Sequence, residues 1–232
     1  MSLYGRGIYG AGFYGTGVDT AARVKSVAVI PGSGEDEVWL IVERYIGGVW
    51  VLFLEQMQPR DYGDLENAWF VDSGLKYTGA GASTFTGLDH LEGETVAILG
   101  DGVVLDTQTV ENGSVTLSAP VFKAIIGLPY RYTLKPMRFD LLTRRGTSKG
   151  SIKRFAELAI SFFESAGPKY GVDSDNLFHV NPKWVAGELF TGDKVLKHEG
   201  GFDVEDSIII TGDDPLPCIV RAMIPRIHQT GR

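Results

Sequence analysis

The sequence predicts an all-β protein of antiparallel sheets: a β-sandwich-like body, a small inserted β-barrel and a Gly/Tyr-rich N-terminal arm. Three observations lead there. Apolar residues alternate with others over short runs, the period of two that a strand imposes. Thirty glycines among 232 residues punctuate those runs. Several sit in pairs between two alternating stretches, where the primed turns of hairpins need positive φ.

The arm comes first, at residues 1–23. In residues 4–18, YGRGI-YGAGF-YGTGV, a Tyr-Gly-x-Gly-apolar unit occurs three times. Gly5, Gly7 and Gly10 spell GxGxxG, but a dinucleotide loop needs a strand before it and a helix after it. Only four residues precede Gly5, and the repeat continues where a helix should open. So glycine-rich a chain holds no shape alone, because fixing each glycine costs much backbone entropy. Either it is a flexible tail, or it is an arm that lays Tyr4, Ile8, Tyr9, Phe13, Tyr14 and Val18 on a neighbouring subunit or partner.

Residues 24–78 form the first part of the β domain. Val27 and Val29, then Val38, Leu40 and Val42, alternate with other residues, and Trp39, Ile41, Glu43 and Tyr45 take the opposite face. Gly47 and Gly48 separate this run from Trp50, Leu52 and Leu54 alternating with Val51, Phe53 and Glu55, which is a hairpin signal. Residues 58–68 are polar and turn-rich. Asp61, Asp64 and Glu66 read there as a solvated loop, without calcium-loop spacing. A strand resumes over 70–77 and is followed by a turn at Gly79, Ala80 and Gly81.

Residues 79–120 carry the expected barrel: a strand around Phe85, then 95–99, 103–108 and 114–117. The turns Gly100-Asp101-Gly102 and Asn112-Gly113 divide the last three. Even spacing of short strands suits a small barrel or β-roll. Residues 121–232 form the second, sandwich part, opened by Pro129 and Pro136, which limit regular pairing. Within it, 152–163 is ambiguous. Ile152, Phe155, Ala156, Ala159, Ile160 and Phe163 fit a helical stripe, which periodicity slightly prefers, and Ile152, Ala156, Leu158, Ile160 and Phe162 fit a strand face. Later strands are expected at 184–189, 195–197, 207–211 and 218–224, with a turn at Thr191-Gly192-Asp193.

Composition narrows the chemistry. A net charge of −7 argues against a tight grip on nucleic acid, which clustered Lys and Arg must supply. The single cysteine, Cys218, allows no internal disulfide or thiolate zinc cluster and lies in an apolar run, as a buried inert thiol. No opening charged-then-apolar leader is expected, and no apolar run reaches the ~20 residues that span a bilayer. Asp89, His90, Glu92 and Glu94 make the most enzyme-like cluster, since a histidine beside acids can act as a base. The competing reading is a helical turn after Gly87 with His90 tied to a carbonyl. The only basic run holds Arg144, Arg145, Lys149, Lys153 and Arg154; it serves phosphate contact or is a solvated hairpin loop. His179, His198 and His228 show no metal spacing. No catalytic, cofactor-binding or metal-ligating residue is expected.

Six stretches in order, DEVWLIVERYIGGVWVLFLEQM, VDSGLKYTG, GLDHLEGETVAILGDG, GLPYRYTL, GTSKGSIKR and DDPLPCIVRAMIPRI, resemble the C-terminal half of a family of tailed-phage and prophage structural proteins. These include tail-tube or nozzle proteins and packaged-DNA stabilisation proteins. The resemblance covers roughly residues 25–230, and its most specific segment is also similar to a small β-barrel half-domain of ubiquitin-activating enzymes. That second likeness implies no catalysis, because the segment holds no cysteine and no nucleotide motif. The family resemblance implies a strand, not a helix, at 152–163. It also implies a non-enzymatic virion subunit, assembled in the bacterial host cytoplasm into a cyclic homo-oligomer, with six copies the expected number. Other tail or portal-proximal proteins would be its partners. DNA would pass the channel without tight binding, and no membrane insertion is implied. Larger relatives carry a long N-terminal part where this chain has the Tyr-Gly repeat, so a host-contacting role of that part is not carried over. Two other readings stand beside this one. One is a tail-associated host-glycan module using Trp39, Trp50, Trp69 and Trp184. The other is a hydrolase using Asp89 and His90 or Asp61 and Glu66.

Overall fold

The computed structural model describes residues 21–229 except 33, 60, 138, 141, 144, 145, 149, 150, 182–187, 205 and 206. The protein is all-β, and every pairing among the described strands is antiparallel. It divides into two compact units, Met1–Tyr130 and Arg131–Arg232, at the junction marked by Pro129.

In the first unit, β1 (Arg23–Ile30), β2 (Glu37–Ile46) and β3 (Val49–Gln56) form one sheet in that order. β4 (Asp72–Thr86), β5 (Thr95–Gly100), β6 (Val103–Thr109) and β7 (Ser114–Leu128) form a second, in the order β4-β7-β5-β6. Turn chemistry fixes the registers. Gly47 and Gly48 have φ of 57° and 86°, Asp101 and Gly102 have 48° and 77°, and Asn112 and Gly113 have 52° and 64°. These are the left-handed conformations that two-residue hairpin turns demand. The core between the sheets is built from Phe85, Leu88, Leu91, Val96, Ile98, Val121, Ala124 and Ile126, with Ile46 from β2 and Phe53 from β3 packed in.

Two expectations need correction here. The four strands over 72–128 do not close into a barrel: β4 and β6 are the outer strands of an open sheet. The boundaries drawn at residues 79 and 120 fall inside β4 and β7. The turn expected at Gly79, Ala80 and Gly81 is instead an irregularity within continuous β4, where the register slips between Thr78 and Ala82. The Tyr77 hydroxyl donates to the Ala80 carbonyl at 2.7 Å. A Cβ on Gly79 would lie 2.7 Å from that hydroxyl. The glycine is there to let a tyrosine fold over the strand, not to reverse the chain.

The second unit contains β8 (Tyr132–Leu134), β9 (Leu142–Thr143), β10 (Gly146–Thr147), β11 (Lys153–Ser165), β12 (Lys169–Gly171), β13 (Leu177–His179), β14 (Phe190–Lys197), β15 (Ile209–Gly212) and β16 (Ile219–Gln229). The sheets β14-β11-β16 and β13-β12-β15-β8 contribute to one core, and β9 pairs with β10. Phe155, Leu158, Ile160 and Phe162 of β11 bury against Tyr170, Val180, Ile208 and Ile210. Residues 152–163 thus lie in a strand, as the family resemblance implies, and the helical stripe is overturned. Its origin is visible. Register slips between Phe155 and Glu157 and between Phe162 and Ser165 put buried positions three residues apart at both ends of the strand. A β-bulge adds one residue on one side and so imitates helical spacing. The turn expected at Thr191-Gly192-Asp193 also lies within a strand, β14.

Phe162 is wholly buried between two partner strands. Phe162→Ala should therefore cost about 3–5 kcal/mol, read as a shifted denaturant midpoint. A loss under about 1 kcal/mol would place this side chain outside a packed core.

Candidate functional site

All eight residues selected from the sequence as contacts, Tyr4, Ile8, Tyr9, Phe13, Tyr14, Arg144, Arg145 and Lys149, lie outside the described residues. β9 ends just before the basic run, and β10, its partner, lies within the run. Of its other members, Lys153 is buried and donates to the Phe139 carbonyl at 2.9 Å, while Arg154 is exposed.

The acidic and histidine cluster ties backbone together. Asp89, His90 and Leu91 make one 3-10 turn just after Gly87. His90 Nε2 donates to the Ser73 carbonyl at 2.9 Å, as the competing reading expected. Glu92 accepts the amides of Asn112 and Gly113 at 2.9 and 2.7 Å. Glu94 accepts the Gly47 amide at 3.0 Å. Asp61 accepts the Gly63 amide, and Glu66 pairs with Lys123. The same use recurs elsewhere. Asp101 accepts the amides of Phe122 and Lys123, Asp140 that of Ser148, and Asp173 those of Asp175 and Asn176. The hydrogen bonds at Asp173 hold its carboxyl below the ordinary value. Among the described residues, no three His, Cys, Asp or Glu side chains converge as metal ligands. Burial pushes the Cys218 thiol up, with a smaller opposing pull from Tyr132. His198 is buried in the second unit, where its Nδ1 accepts the Gly200 amide at 3.2 Å and its Nε2 lies 3.2 Å from the Ser207 carbonyl.

Among the described residues no tryptophan is fully exposed. Trp39 donates to Glu37 at 3.0 Å. Trp50 lies under the Arg23 guanidinium, 4.3 Å from the ring centre, and against Tyr45. Trp69 helps line a cleft of about 240 Å³ with Phe53, Glu55, Ser73 and His90. All three are half-buried; Trp184 lies outside the described residues.

Sequence reading missed the groups behind that cleft. Arg44 of β2 is buried, and its Nε and Nη2 donate to the Glu55 carboxylate of β3 at 2.7 and 3.0 Å. Its Nη1 donates to Asp72 of β4 at 3.0 Å. Ser73, at a φ of 47°, donates its hydroxyl to Glu55 at 2.6 Å while its carbonyl accepts from His90. Burial pulls the Arg44 guanidinium down, but the Glu55 hydrogen bond and the Asp72 and Glu55 charges raise it overall. Burial pushes the Asp72 carboxyl above its ordinary 3.8, further than Arg44 draws it back. The network, with Glu94 gripping the hairpin tip, fastens the first sheet to the second.

That anchoring leaves a platform uncovered. Leu40 and Val42 are 2% and 0% exposed. Their cross-strand neighbours on β1, Val27 and Val24, are 57% and 46% exposed, and Val29 is 59%. One apolar row is thus core on β2 and surface on β1. On the opposite face Ile41, Leu52 and Leu54 are also exposed, the last two at 60% and 69%. β1 pairs only with β2 among the described strands, so it is an edge. Contiguous exposed apolar area of this kind is uncommon on monomeric proteins.

Neither a protein-family model nor a curated protein matches the chain. No helix among the described residues is long and apolar enough to cross a membrane.

Removing one member of a buried ion pair leaves the other uncompensated. Glu55→Leu should cost about 3–5 kcal/mol, and adding Arg44→Met should recover most of it. Thermal or denaturant unfolding of the three proteins checks this, and a double variant no better than the single one would refute it. The folded state holds the Asp72 proton more tightly than the unfolded chain does. Its contribution to stability is therefore present below 3.8 and lost as pH rises through the raised folded value. The stability of the wild type relative to Asp72→Asn should fall as pH rises above about 4, measured as unfolding midpoints at rising pH.

Proposed function

We propose that this chain is a non-enzymatic structural subunit of a tailed-phage or prophage particle. It is one copy of a cyclic homo-oligomer of the tail-tube or nozzle type around the DNA channel. The observation that carries this reading is the uncovered apolar platform on β1–β3, joined to the second sheet by the Arg44 network. A monomer has no use for an apolar row that runs out of its core into water. Burial of such a row stabilises contact by about 25 cal/mol per Å². A ring of identical head-to-tail contacts covers every such surface and leaves none free.

The polar groups fit the same reading. Glu92 and Glu94 are engaged with backbone amides of turns, and His90 is engaged with a carbonyl. The stretches that resemble tail structural proteins supply the particle. The chain's net charge of −7 suits a wall past which phosphates move without adhering. Its partners are further copies of itself and adjoining tail or portal-proximal proteins, and its site of residence is the virion after assembly in the host cytoplasm.

Mass measurement of the chain in solution, with imaging of particles carrying it, tests the proposal. Discrete closed oligomers, or ring density on the tail axis, are the expected result, with no duplex DNA retained at roughly 0.15 M salt. A chain that stays monomeric at every concentration and is absent from particles would end it.

A further inference from the structure

Resting on the ring reading, we propose that the Tyr-Gly arm of one copy, residues 4–18, adds as a strand along the edge of β1 in the next copy. The receiving edge has three properties. It pairs on one side only among the described strands. Its charges gather at one end, where Arg23 and Lys25 both reach Glu43, at 3.7 and 2.8 Å, beside a register slip between Val24 and Ser26. Beyond that end, Ser26, Val27, Ala28, Val29 and Ile30 carry no charge, and all five are exposed. Natural edge strands are guarded against pairing by charge, proline or bulges. Here the guard covers Arg23 to Lys25 and stops, which leaves a template of main-chain groups with an apolar row beside it.

The arm matches that template. In an extended chain side chains alternate between faces, so Tyr4, Ile8, Tyr14 and Val18 share one face, and Tyr9 and Phe13 share the other. Both faces of the β1 edge offer apolar area: Val24, Val27 and Val29 on one, Ile30 with the exposed Ile41 on the other. Arg6 is the only charge among residues 4–18. Extended, these residues span about 50 Å, against about 27 Å for β1, so part of the arm can bridge between copies while the rest pairs. Strand addition draws affinity from main-chain hydrogen bonds, which suits a glycine-rich donor whose specificity comes from spaced rings. Pairing of the whole of residues 4–18 with its own β1 would need a reversal within Asp19, Thr20, Ala21 and Ala22. That linker has no glycine for a two-residue primed turn. Given and received by different neighbours, the contact is head-to-tail and closes as a ring.

The test uses the full chain, the chain lacking residues 1–18, the full chain with Val27→Asp and Val29→Asp, and a synthetic peptide of residues 2–19. Sedimentation should show assembly of the full chain. Deleting the arm or charging the edge should raise the concentration for half-assembly at least ~10-fold, with unchanged unfolding midpoints. The peptide should bind the arm-deleted chain, protect its β1 amides from exchange, and fail to bind when Val27 and Val29 are aspartates. If the arm-deleted chain assembles as well as the full one, the ring reading stands and the arm proposal fails. A monomeric full chain with protected β1 amides would mean the arm pairs with its own edge, which overturns exchange between copies. Failure of every form to assemble, alone or on particles, removes both.

Discussion

The bond between Arg44 and Glu55, shared with Asp72 and Ser73, is the constraint on which the first unit depends. A guanidinium taken out of water must meet carboxylates in fixed geometry, or the desolvation cost of several kcal/mol per ion is not offset. Glu55 provides both oxygens from the neighbouring strand, and Asp72 and Ser73 provide the rest from the start of β4. A slip of one residue between β2 and β3 would turn every side chain of the slipped strand to the other face and strand the charge. The network therefore selects one register and one docking of the hairpin. Ser73 shows the demand this makes on the backbone. A serine rarely adopts a φ of 47°, and it is held there by Glu55 on its side chain and His90 on its carbonyl.

Local rules made part of this fold legible and left the rest dark. The pairs Gly47-Gly48, Asp101-Gly102 and Asn112-Gly113 read correctly as turns because positive φ is a property of the residues themselves. Gly79 misled because its function is set by Tyr77, whose ring needs the space of a missing Cβ. Residues 152–163 misled because bulges in β11 shift the buried row by one, and periodicity alone cannot tell a bulged strand from a helix. The all-β class followed from alternation, whereas the openness of the β4-β7-β5-β6 sheet depends on which strands pair, and spacing does not determine that.

The ion network was beyond reach for the same reason. Arg44, Glu55 and Asp72 sit on three strands, and nothing in their spacing along the sequence brings them together. Asp89, His90, Glu92 and Glu94 looked chemical because they are close in sequence. Their partners are Ser73, Asn112, Gly113 and Gly47, distant in sequence and mostly in turns. The alternation in β1 was legible too, but an alternating strand ordinarily hides one face. Only the pairing of Val27 with Leu40, one exposed and one buried, reveals that the row continues past the edge of the core.

The distribution of charge explains how such an edge can exist in a chain of net charge −7. Tight turns leave main-chain amides without ladder partners. Here carboxylates satisfy them: Glu92 and Glu94 for two hairpin tips, Asp101 for the irregular middle of β7, Asp140 and Asp173 for loops of the second unit. Acids committed to turns are placed by hairpin geometry and not by the needs of a sheet edge. The edge of β1 is then left with what its own sequence gives it, two cations tied to one glutamate and six uncharged residues. Charge gathers at the turns, and its absence from Ser26 to Ile30 leaves an edge along which another strand would meet no like charge.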